Sequence, residues 1–382
     1  MKNINISPKI KVVCDDKVKF LTGVIEPYAN VVFKAGSSIT RNDLLDAQAL
    51  IVRTRTKCNK DLLEGTSVKF IGTATIGFDH IDTSWVEKSG IEWTNAPGCN
   101  SGSVKQYVAA ALALLVTEKK MLLEGKTIGI VGVGNVGKKV AQVAKAFGMK
   151  VLLNDPPRQR SGEAGFVSYE EVLSNADIIT YHVPYICEGV DKTFHLFDDS
   201  TLKKVRQGVV IINTSRGEVV DTQSLKSGLK SAIVSNAILD VWENEPNIDL
   251  ELLKMTFIAT PHIAGYSVDG KAMGSAMTVR ALATKFGLPL TNWYPENIPT
   301  PESLVLEMDC NNLSDEEILS MLILNTHDLR GDDFRLRNDV INFESLRGSY
   351  PVRREFHAYF CQLVNSPTDI KKSLDLLGFK DY

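Results

Sequence analysis

The sequence lacks the features that direct a chain to a membrane, a nucleic acid or secretion. Its longest apolar run, residues 107–116, is too short to cross a bilayer. The first residues contain no long apolar core of the kind that a secretory signal needs. The net charge is −3 and no stripe of lysine and arginine stands out, so no basic surface for a nucleic acid is expected. We therefore expect a cytoplasmic protein that binds neither membranes nor nucleic acids.

The cysteines are too scattered to indicate a disulfide framework or a metal centre. They form no CxxC pair and show no spacing typical of metal ligands. The six positions are Cys14, Cys58, Cys99, Cys187, Cys310 and Cys361. Free thiols in a reducing compartment fit this pattern best, and we predict no metal site.

The chain instead alternates short apolar strands with helical segments, which predicts parallel sheets covered by helices. A length of 382 residues favours two or three domains. In the first hundred residues the predicted strands are 9–15, 30–35, 49–54 and 68–74, and the predicted helical segments between them are 18–28, 40–48 and 59–65. A long helix from Ser101 to about Lys120 leads into a second series, whose predicted strands are 127–133, 150–155, 176–184, 209–215, 236–241 and 257–261.

The chain from about residue 267 onward no longer alternates strands and helices regularly. A helix over about 267–286 is predicted to return to the first domain, and residues 288–302 with their four prolines form an irregular linker. The rest has a strand at 303–308, a helix that opens with the capping box SDEE at 314–317, a strand within 354–364 and a final helix from Asp369. So small a segment is marginal as a lone core, so we expect it to pack on the rest of the chain or on a second subunit.

A glycine-rich turn indicates a dinucleotide site at the start of the second series. Gly132, Gly134 and Gly137 form GxGxxG directly after the strand TIGIV and before a helical run. The first glycine permits a tight turn, the second lets the backbone approach a pyrophosphate, and the third lets helix and strand pack closely. Backbone N–H groups at the helix start then meet the diphosphate.

The next strand supports this interpretation and selects the cofactor. It ends in Asp155, whose carboxylate can bind both ribose hydroxyls and would repel a 2′-phosphate. NAD is therefore favoured over NADP, and residues 101–266 are predicted to form a Rossmann domain. Arg158 and Arg160 leave NADP open as an alternative, because either could fold back onto a phosphate.

Three polar residues follow apolar runs further along the chain and predict a dehydrogenase site. Arg216 has a planar fork that suits a carboxylate beside a reacting carbon. Glu245 can raise the pKa of a nearby histidine, and His262 can then move a proton. The ends of parallel strands are where open α/β sheets collect ligands. His80 competes for the proton-transfer role, although its segment reads better as a helix start, and His182 fits better as part of the cofactor pocket.

These motifs resemble the D-isomer-specific 2-hydroxyacid dehydrogenase family across about residues 1–290. The resemblance rests on the glycine turn with Asp155 and on NTSRGEVVD, LDVWENEP and PHIAG. Narrower segments resemble the branch that oxidises 4-phospho-D-erythronate in vitamin B6 biosynthesis, and they are VRTRTK at 52–57, FIGTATIGFDHID at 70–82, NAPGCNSGSV at 95–104, NDPPR at 154–158 and HIAGYSVDGKA at 262–272. The resemblance implies that hydride passes from C2 of a phosphorylated 2-hydroxy acid to NAD.

The resemblance also implies an architecture and a set of site residues. It implies a flavodoxin-like substrate domain (1–100 and 267–290), the Rossmann NAD domain (101–266) and a small α+β domain (291–382) that forms a homodimer and helps to build the substrate site. His262 would accept the hydroxyl proton, Glu245 would orient it, and Arg216 would hold the carboxylate. Substrate positions would be Thr54, Thr75 and Tyr266, and further cofactor positions would be Asn135, Val136, Val183, Thr214, Ser215, Arg216, Asp240 and Gly265.

The substrate phosphate needs a cation that the motifs do not identify. Arg53, Arg55 and Lys57 surround Thr54, but strand alternation would turn the two arginines to one face and Thr54 to the other. The pair Arg353 and Arg354 in the tail is a second hypothesis, with phosphate contacts supplied from a partner subunit. Two other functions stay open: a 3-phosphoglycerate dehydrogenase with a regulatory tail, and a non-catalytic NAD-sensing protein on the same scaffold.

Overall fold

The computed structural model describes residues 9–382, and the amino-terminal stretch read above for a secretory signal begins outside them. The chain divides into two compact units, Met1–Asn100 with Ser267–Pro299, and Ser101–Tyr266 with Thr300–Tyr382. Within residues 9–382 no helix is both long enough and apolar enough to span a membrane.

The described strands are short and the helices range from one turn to five. The strands are β1 (Lys11–Asp15), β2 (Asn30–Lys34), β3 (Ala49–Val52), β4 (Phe70–Thr73), β5 (Glu92–Thr94), β6 (Thr127–Val131), β7 (Lys150–Asn154), β8 (Ile178–Tyr181), β9 (Val209–Asn213), β10 (Val234–Leu239), β11 (Ile258–Ala259), β12 (Val305–Asp309), β13 (Phe360–Val364) and β14 (Lys380–Asp381). The helices are α1 (Arg41–Leu44), α2 (Lys60–Leu63), α3 (Thr83–Lys88), α4 (Ser101–Lys119), α5 (Asn135–Ala146), α6 (Pro156–Arg160), α7 (Tyr169–Asn175), α8 (Asp199–Leu202), α9 (Thr222–Lys230), α10 (Leu250–Met255), α11 (Val268–Phe286), α12 (Asp315–Thr326), α13 (Leu329–Asn338), α14 (Phe343–Gly348) and α15 (Ile370–Leu377).

The first unit is built on a five-stranded parallel sheet in the order β2-β1-β3-β4-β5. This is the flavodoxin-like strand order, so the predicted fold class is confirmed here. The central strands β3 and β4 are buried along their whole length, as continuous apolar runs predict. Helix α11 packs against β4, which explains why residues 267–286 return to this unit. The edge strand β5 was not predicted.

The helix predicted over 18–28 is wrong. The segment forms consecutive turns, in which Val24 donates to the carbonyl oxygen of Leu21 and Tyr28 to that of Ile25. The apolar spacing identified the buried side chains correctly, because Leu21 and Ile25 are both in the core. Phe20 and Gly23 adopt φ values of 65° and 81°, however, and a right-handed helix cannot continue through such residues.

The second unit contains a six-stranded parallel sheet in the order β11-β10-β9-β8-β6-β7. The chain moves from β6 to β7 on one side and then crosses to β8 on the other side. The turn after β6 therefore lies at the point where the winding reverses, which is where such sheets bind ligands. Helix α4 is buried continuously from Ser103 to Val116, so it forms part of the core.

The carboxy-terminal segment packs on this second unit. Its small parallel sheet has the order β12-β13-β14, while α12 lies on α4 and α15 lies on α5. Two polar contacts secure the packing: Lys105 donates to the carbonyl oxygen of Leu376 at 2.8 Å and Gln106 donates to that of Arg354 at 2.8 Å. The segment shares a hydrophobic core with α4 and α5. Its role in dimerisation stays a prediction.

Candidate active site

The three candidate catalytic residues leave the sheet at neighbouring positions. Arg216 follows β9, Glu245 follows β10 and His262 follows β11. These strands are adjacent and parallel, so their carboxyl ends meet at one edge of the sheet. The order of the strands thus gathers residues that lie far apart in the sequence.

His262 and Glu245 are in direct contact. The Nδ1 atom of His262 lies 2.7 Å from Oε2 of Glu245, and the two side chains are 30% and 18% exposed. An ionised carboxylate only accepts hydrogen bonds, so Nδ1 carries the proton of the neutral ring. The lone pair of the imidazole is therefore on Nε2, where it can accept a proton.

Glu245 is held in its ionised form by its surroundings. Burial favours the neutral acid, but the hydrogen bond and charge of His262, the backbone N–H of Trp242 and the charge of Arg347 outweigh it and lower the pKa of Glu245. Trp242 donates to Oε1 at 2.9 Å, so each carboxylate oxygen has a partner. This fixes the orientation of Glu245 toward the imidazole.

The loop that carries His262 is shaped by Asp240. The buried carboxylate of Asp240 accepts hydrogen bonds from the backbone N–H groups of Ile263 at 2.7 Å and Ala264 at 2.9 Å, and from the hydroxyl of Thr260 at 2.6 Å. His262 itself has a φ of 56°, in the left-handed region that few residues other than glycine adopt. The backbone N–H of His262 also donates to the carbonyl oxygen of Asp240 at 2.7 Å, which helps to hold that conformation.

The same loop is supported from the carboxy-terminal segment by Arg353. Arg353 is 5% exposed, and its Nη2 donates to the carbonyl oxygens of Ile263 at 3.2 Å and Ala264 at 2.7 Å. Its Nη1 lies 2.8 Å from Nδ1 of His327. The hypothesis that Arg353 binds substrate phosphate from a partner subunit is therefore wrong, because this side chain is buried and bonded within its own unit.

Arg216 lies on a loop that passes close to the segment before Glu245. A Cβ atom added to Gly217 would lie 1.9 Å from the backbone carbon of Trp242, so only glycine fits next to Arg216. The Nη1 of Arg216 donates to the carbonyl oxygen of Ser215 at 2.8 Å. Asn213 ties the loop together, donating to the carbonyl oxygen of Arg216 at 2.9 Å and accepting from Ser215. The backbone around Arg216 is thus firmly positioned.

The glycine turn fits a dinucleotide phosphate. Gly132 has a φ of 87°, and a Cβ atom on Gly137 would lie 2.1 Å from the carbonyl oxygen of Gly132. A Cβ atom added to Gly134 would meet no atom within 4 Å, so this position leaves space beside the backbone. No side chain caps α5, which begins with Asn135 and Val136, so its first N–H groups are available to an anion.

Asp155 and its arginine neighbours fit NAD better than NADP. Asp155 accepts from the backbone N–H of Val133 at 2.9 Å, which places its carboxylate against the glycine turn. Arg158 forms an ion pair with Glu163 and donates to the carbonyl oxygen of Val133. Arg160 pairs with Asp191 at 2.6 Å. Both arginines therefore pair with carboxylates of the protein rather than standing ready for a 2′-phosphate.

The remaining predicted cofactor positions include residues in the turns after β8, β9 and β11. His182 lies between Thr180 at 2.9 Å and Thr214 at 3.2 Å, and burial lowers the pKa of His182 to about 3, so its ring is neutral. Val183 follows it, and its Cγ1 would lie 2.8 Å from a Cβ atom on Gly132. The position of Gly265 is set by a turn in which Tyr266 donates to the carbonyl oxygen of Ile263.

Two of the three predicted substrate positions belong to the first unit. Thr54 follows β3 and is exposed, and Thr75 follows the neighbouring β4 and bonds Thr73 at 2.8 Å. Strand β3 ends at Val52, so the expected alternation of Arg53, Thr54 and Arg55 does not extend to them.

The third substrate position, Tyr266, belongs to the second unit. Its hydroxyl accepts from Nη2 of Arg347 at 3.3 Å. The competing histidine, His80, lies in the first unit beside Thr73 at 3.1 Å, just before helix α3. It therefore does not share a unit with Glu245.

Two further groups were not predicted from the sequence. His195 lies 2.7 Å from Glu243 and 3.8 Å from Asp221, and within residues 9–382 this is the cluster whose ligand atoms approach closely enough for a metal ion. Glu243 also accepts from the N–H of Thr222, so the cluster ties three loops together. The second group, Arg347 on α14, is close to Tyr266 in space, but 81 residues separate them in the chain.

Two regions of the chain match known protein families. Residues 113–264 match the family described as D-isomer specific 2-hydroxyacid dehydrogenase, NAD binding domain. Residues 300–378 match a domain of unknown function, DUF3410. The computed fold is similar to a crystal structure of D-lactate dehydrogenase from Aquifex aeolicus complexed with NAD and lactic acid, with 28% identity, a TM-score of 0.61 and coverage of 73% of this chain and 96% of that one.

Relatives with a more specific name match over almost the whole chain. The erythronate-4-phosphate dehydrogenase of Bacteroides fragilis is 47% identical over 352 residues, covering 92% of this chain and 98% of the relative. The protein of that name from Proteus mirabilis is 39% identical over 374 residues, covering 97% and 99%. The chain therefore belongs to the erythronate-4-phosphate dehydrogenases, within the family of NAD-binding D-isomer-specific 2-hydroxyacid dehydrogenases.

Proposed function

We propose that the protein oxidises the C2 hydroxyl of 4-phospho-D-erythronate to (R)-3-hydroxy-2-oxo-4-phosphooxybutanoate, with NAD as acceptor, in the biosynthesis of pyridoxal 5′-phosphate. The observation that carries the proposal is that the chain aligns with erythronate-4-phosphate dehydrogenases over nearly their whole length, including the carboxy-terminal segment. The His262–Glu245 pair supplies chemistry that suits the reaction.

The proton moves through His262. The lone pair on Nε2 accepts the proton of the C2 hydroxyl while the C2–O bond becomes a carbonyl. The ionised Glu245 stabilises the imidazolium that forms and keeps Nδ1–H oriented. NAD, when bound, supplies the acceptor for the hydride that leaves C2, so the hydride goes to NAD and the hydroxyl proton goes to His262.

The substrate carboxylate is bound by Arg216. Its planar fork matches the two carboxylate oxygens, and the positive charge polarises the carbonyl that develops at C2. We assign the remaining substrate contacts to Thr54, Thr75 and Tyr266.

The cofactor diphosphate is assigned to the glycine turn and the start of α5, and the ribose to Asp155. The first turn of α5, without a side-chain cap, supports the phosphate assignment. The residues assigned to NAD are Gly132, Gly134, Asn135, Val136, Gly137, Asp155, Val183, Thr214, Ser215, Arg216, Asp240 and Gly265. Asp240 would act mainly through the loop that it holds.

The carboxy-terminal segment is assigned to a homodimer interface. Its exposed large apolar side chains include Phe334 at 68%, Ile341 at 94% and Val352 at 59%. Apolar side chains so exposed on one small segment favour contact with a partner surface. We expect the dimer to be cytoplasmic, because Cys14, Cys58, Cys187, Cys310 and Cys361 are free thiols.

Turnover of NAD with purified enzyme tests the function. We expect reduction of NAD with 4-phospho-D-erythronate and a kcat/KM at least about 100-fold lower with 3-phosphoglycerate, a difference of ~2.7 kcal/mol. Comparable rates with 3-phosphoglycerate would overturn the substrate assignment. NAD binding without turnover of either acid would instead support the sensor alternative.

A further inference from the structure

We infer that Arg347 binds the phosphate group of the substrate and thereby selects a phosphorylated acid over its unphosphorylated counterpart. This inference rests on the proposed function and names a residue that neither the motifs nor the family resemblance identified. It assigns a binding role to the carboxy-terminal segment.

The position of Arg347 is set by Tyr266, four residues after His262 in the same loop. The Nη2 atom of Arg347 donates to the hydroxyl of Tyr266 at 3.3 Å, and the Cζ atom of Arg347 lies 5.7 Å from the centre of the tyrosine ring. Tyr350 packs edge-on against Tyr266 with ring centres 6.2 Å apart. The guanidinium is therefore held beside the loop that carries the candidate base.

The charge of Arg347 interacts with Glu245, the partner of His262. Burial opposes the charged guanidinium, but Tyr266, Glu344, Glu245 and Asp240 together raise the pKa of Arg347 above its ordinary value. Arg347 in turn helps to lower the pKa of Glu245. Glu245 already bonds His262 and Trp242 through its two oxygens, so it is not a direct partner for the arginine.

The hydrogen bonds of Arg347 leave part of its fork for a ligand. Nη1 donates to Glu344 at 3.1 Å, a pair whose side chains are 21% and 39% exposed. Nε is buried, and no residue in the described range 9–382 accepts a hydrogen bond from it. A buried N–H without a partner costs about 1–3 kcal/mol. Nε is covered by the protein, but the side chain as a whole is 21% exposed. Nη1 and Nη2 each keep a second N–H, and two oxygens of a phosphate can accept from these outer donors, as in guanidinium–phosphate pairs.

The chemistry of the substrate requires a second cation near His262. With C2 at His262 and the adjacent carboxylate at Arg216, the phosphate on C4 still needs a positive partner. Arg353 is bonded to Ile263, Ala264 and His327 and is buried, so it is excluded. Arg353 also has a buried Nε without an acceptor in the described range 9–382, so that feature does not distinguish the two arginines. What favours Arg347 is that its charge lowers the pKa of Glu245 and that its Nη2 meets Tyr266.

Steady-state kinetics with 4-phosphoerythronate and with erythronate test the inference. In Arg347→Ala we expect kcat/KM for the phosphorylated acid to fall about 100-fold, ~2.7 kcal/mol, and the value for erythronate to fall at least about tenfold less, because only the phosphorylated acid loses a direct partner. Arg347→Lys should keep an intermediate preference, because a point charge replaces the fork. Arg330→Ala is the matched control, since it removes an exposed arginine, paired with Asp328 and Glu118, from the same segment.

Three further measurements separate the possible outcomes. Thermal unfolding of each variant shows whether the segment stays folded, and the lysine variant decides the matter if the alanine variant does not fold. Equal loss with both acids would show that Arg347 only positions Tyr266, and no loss with either would also overturn the inference. If the wild type does not turn over 4-phosphoerythronate, the proposed function fails. Inorganic phosphate then still tests the role of Arg347, either as a competitor against whichever acid is turned over or as a ligand that raises the melting temperature of the NAD-saturated enzyme. Phosphate effects that persist unchanged in Arg347→Ala would overturn it.

Discussion

Arg353 donates a hydrogen bond at 2.7 Å to the carbonyl oxygen of Ala264, two residues after the candidate base. The buried guanidinium thus connects the carboxy-terminal segment to the catalytic loop. This contact makes the loop depend on the segment that matches the domain of unknown function.

Replacing Arg353 should therefore destabilise the protein and impair the site. Arg353→Met leaves the carbonyl oxygens of Ile263 and Ala264 without their buried donor, and we expect a loss of about 3 kcal/mol in the free energy of unfolding. Urea unfolding and kcat measure the two effects. The exposed Arg330→Met should cost less than about 1 kcal/mol, and equal losses in the two variants would contradict the assigned role.

The partner of Arg353 gives stability a specific pH dependence. Burial, together with the charge of Arg353, lowers the pKa of His327 from 6.5 to about 4. The neutral ring can accept from Arg353 through Nδ1 and donate to Asp332 through Nε2. Between these two pH values the unfolded chain binds a proton that the folded chain does not, so this contribution to stability falls as the pH falls from 6.5 to about 4.

Unfolding in denaturant at several pH values checks this dependence. The slope from His327 should be at most about 1.4 kcal/mol per pH unit, and His327→Gln should remove it. A variant with the same or a steeper slope between pH 4 and 6.5 would refute the prediction. His357→Gln, elsewhere in the segment, serves as the comparison.

Removing the charge of Glu245 should slow catalysis and shift its pH profile. Glu245→Gln keeps the size of the side chain but no longer stabilises an imidazolium at His262, so we expect kcat/KM to fall at least about tenfold, ~1.4 kcal/mol. The pKa of Glu245 lies below its ordinary value, so protonation of Glu245 should give the wild-type kcat/KM profile an acid limb that the variant lacks. Glu243→Gln, which alters a different histidine pair, should leave the limb in place.

Cofactor choice should depend on Asp155 and on the partner of Arg158. Asp155→Ser removes the charge that repels a 2′-phosphate, and adding Glu163→Gln releases Arg158 from its ion pair. We expect the ratio of kcat/KM for NADP to that for NAD to rise at least about tenfold in the double variant, ~1.4 kcal/mol. An unchanged ratio would show that discrimination lies elsewhere. Asp191→Asn, which releases Arg160 instead, is the matched comparison.

Charging the exposed apolar side chains should separate the proposed dimer. Ile341→Glu places a charge where we expect an apolar contact, so sedimentation equilibrium should give a monomer mass while the wild type gives a dimer mass. Leu122→Glu, an equally open apolar position at 75% exposure outside the segment, is the control. A wild type that is monomeric at all concentrations would overturn the dimer assignment.

Most of the architecture could be predicted from the sequence because its signals are local. Apolar runs predicted the strands from β6 to β10, of which β6, β8 and β9 are the most buried. The glycines and Asp155 identified the dinucleotide turn. The capping box at Ser314 placed the start of α12. Local signals failed at 18–28, where residues with positive φ interrupt a helical pattern, and at β5, an edge strand of three residues.

The residues between α12 and β13 escaped prediction because their stability does not come from an apolar stripe. Helix α13 is polar, and Arg337, which pairs with Asp333 within the helix, anchors it to another part of the chain. The anchoring bonds run from Arg337 to the carbonyl oxygens of Leu253 and Thr256. No window of sequence contains those partners. The same is true of Arg347, whose contact with Tyr266 spans 81 residues.

By itself the sequence determined the chemistry of the site: a histidine, an acid and an arginine at strand ends, and a glycine turn with a carboxylate that favours NAD. Those features depend on residue type and on spacing within single elements. Only the tertiary structure decided how they are used. Strand order brought Glu245 and His262 to 2.7 Å, buried Arg353 under the catalytic loop and placed Arg347 at Tyr266, because contacts between distant segments are fixed by packing rather than by local pattern.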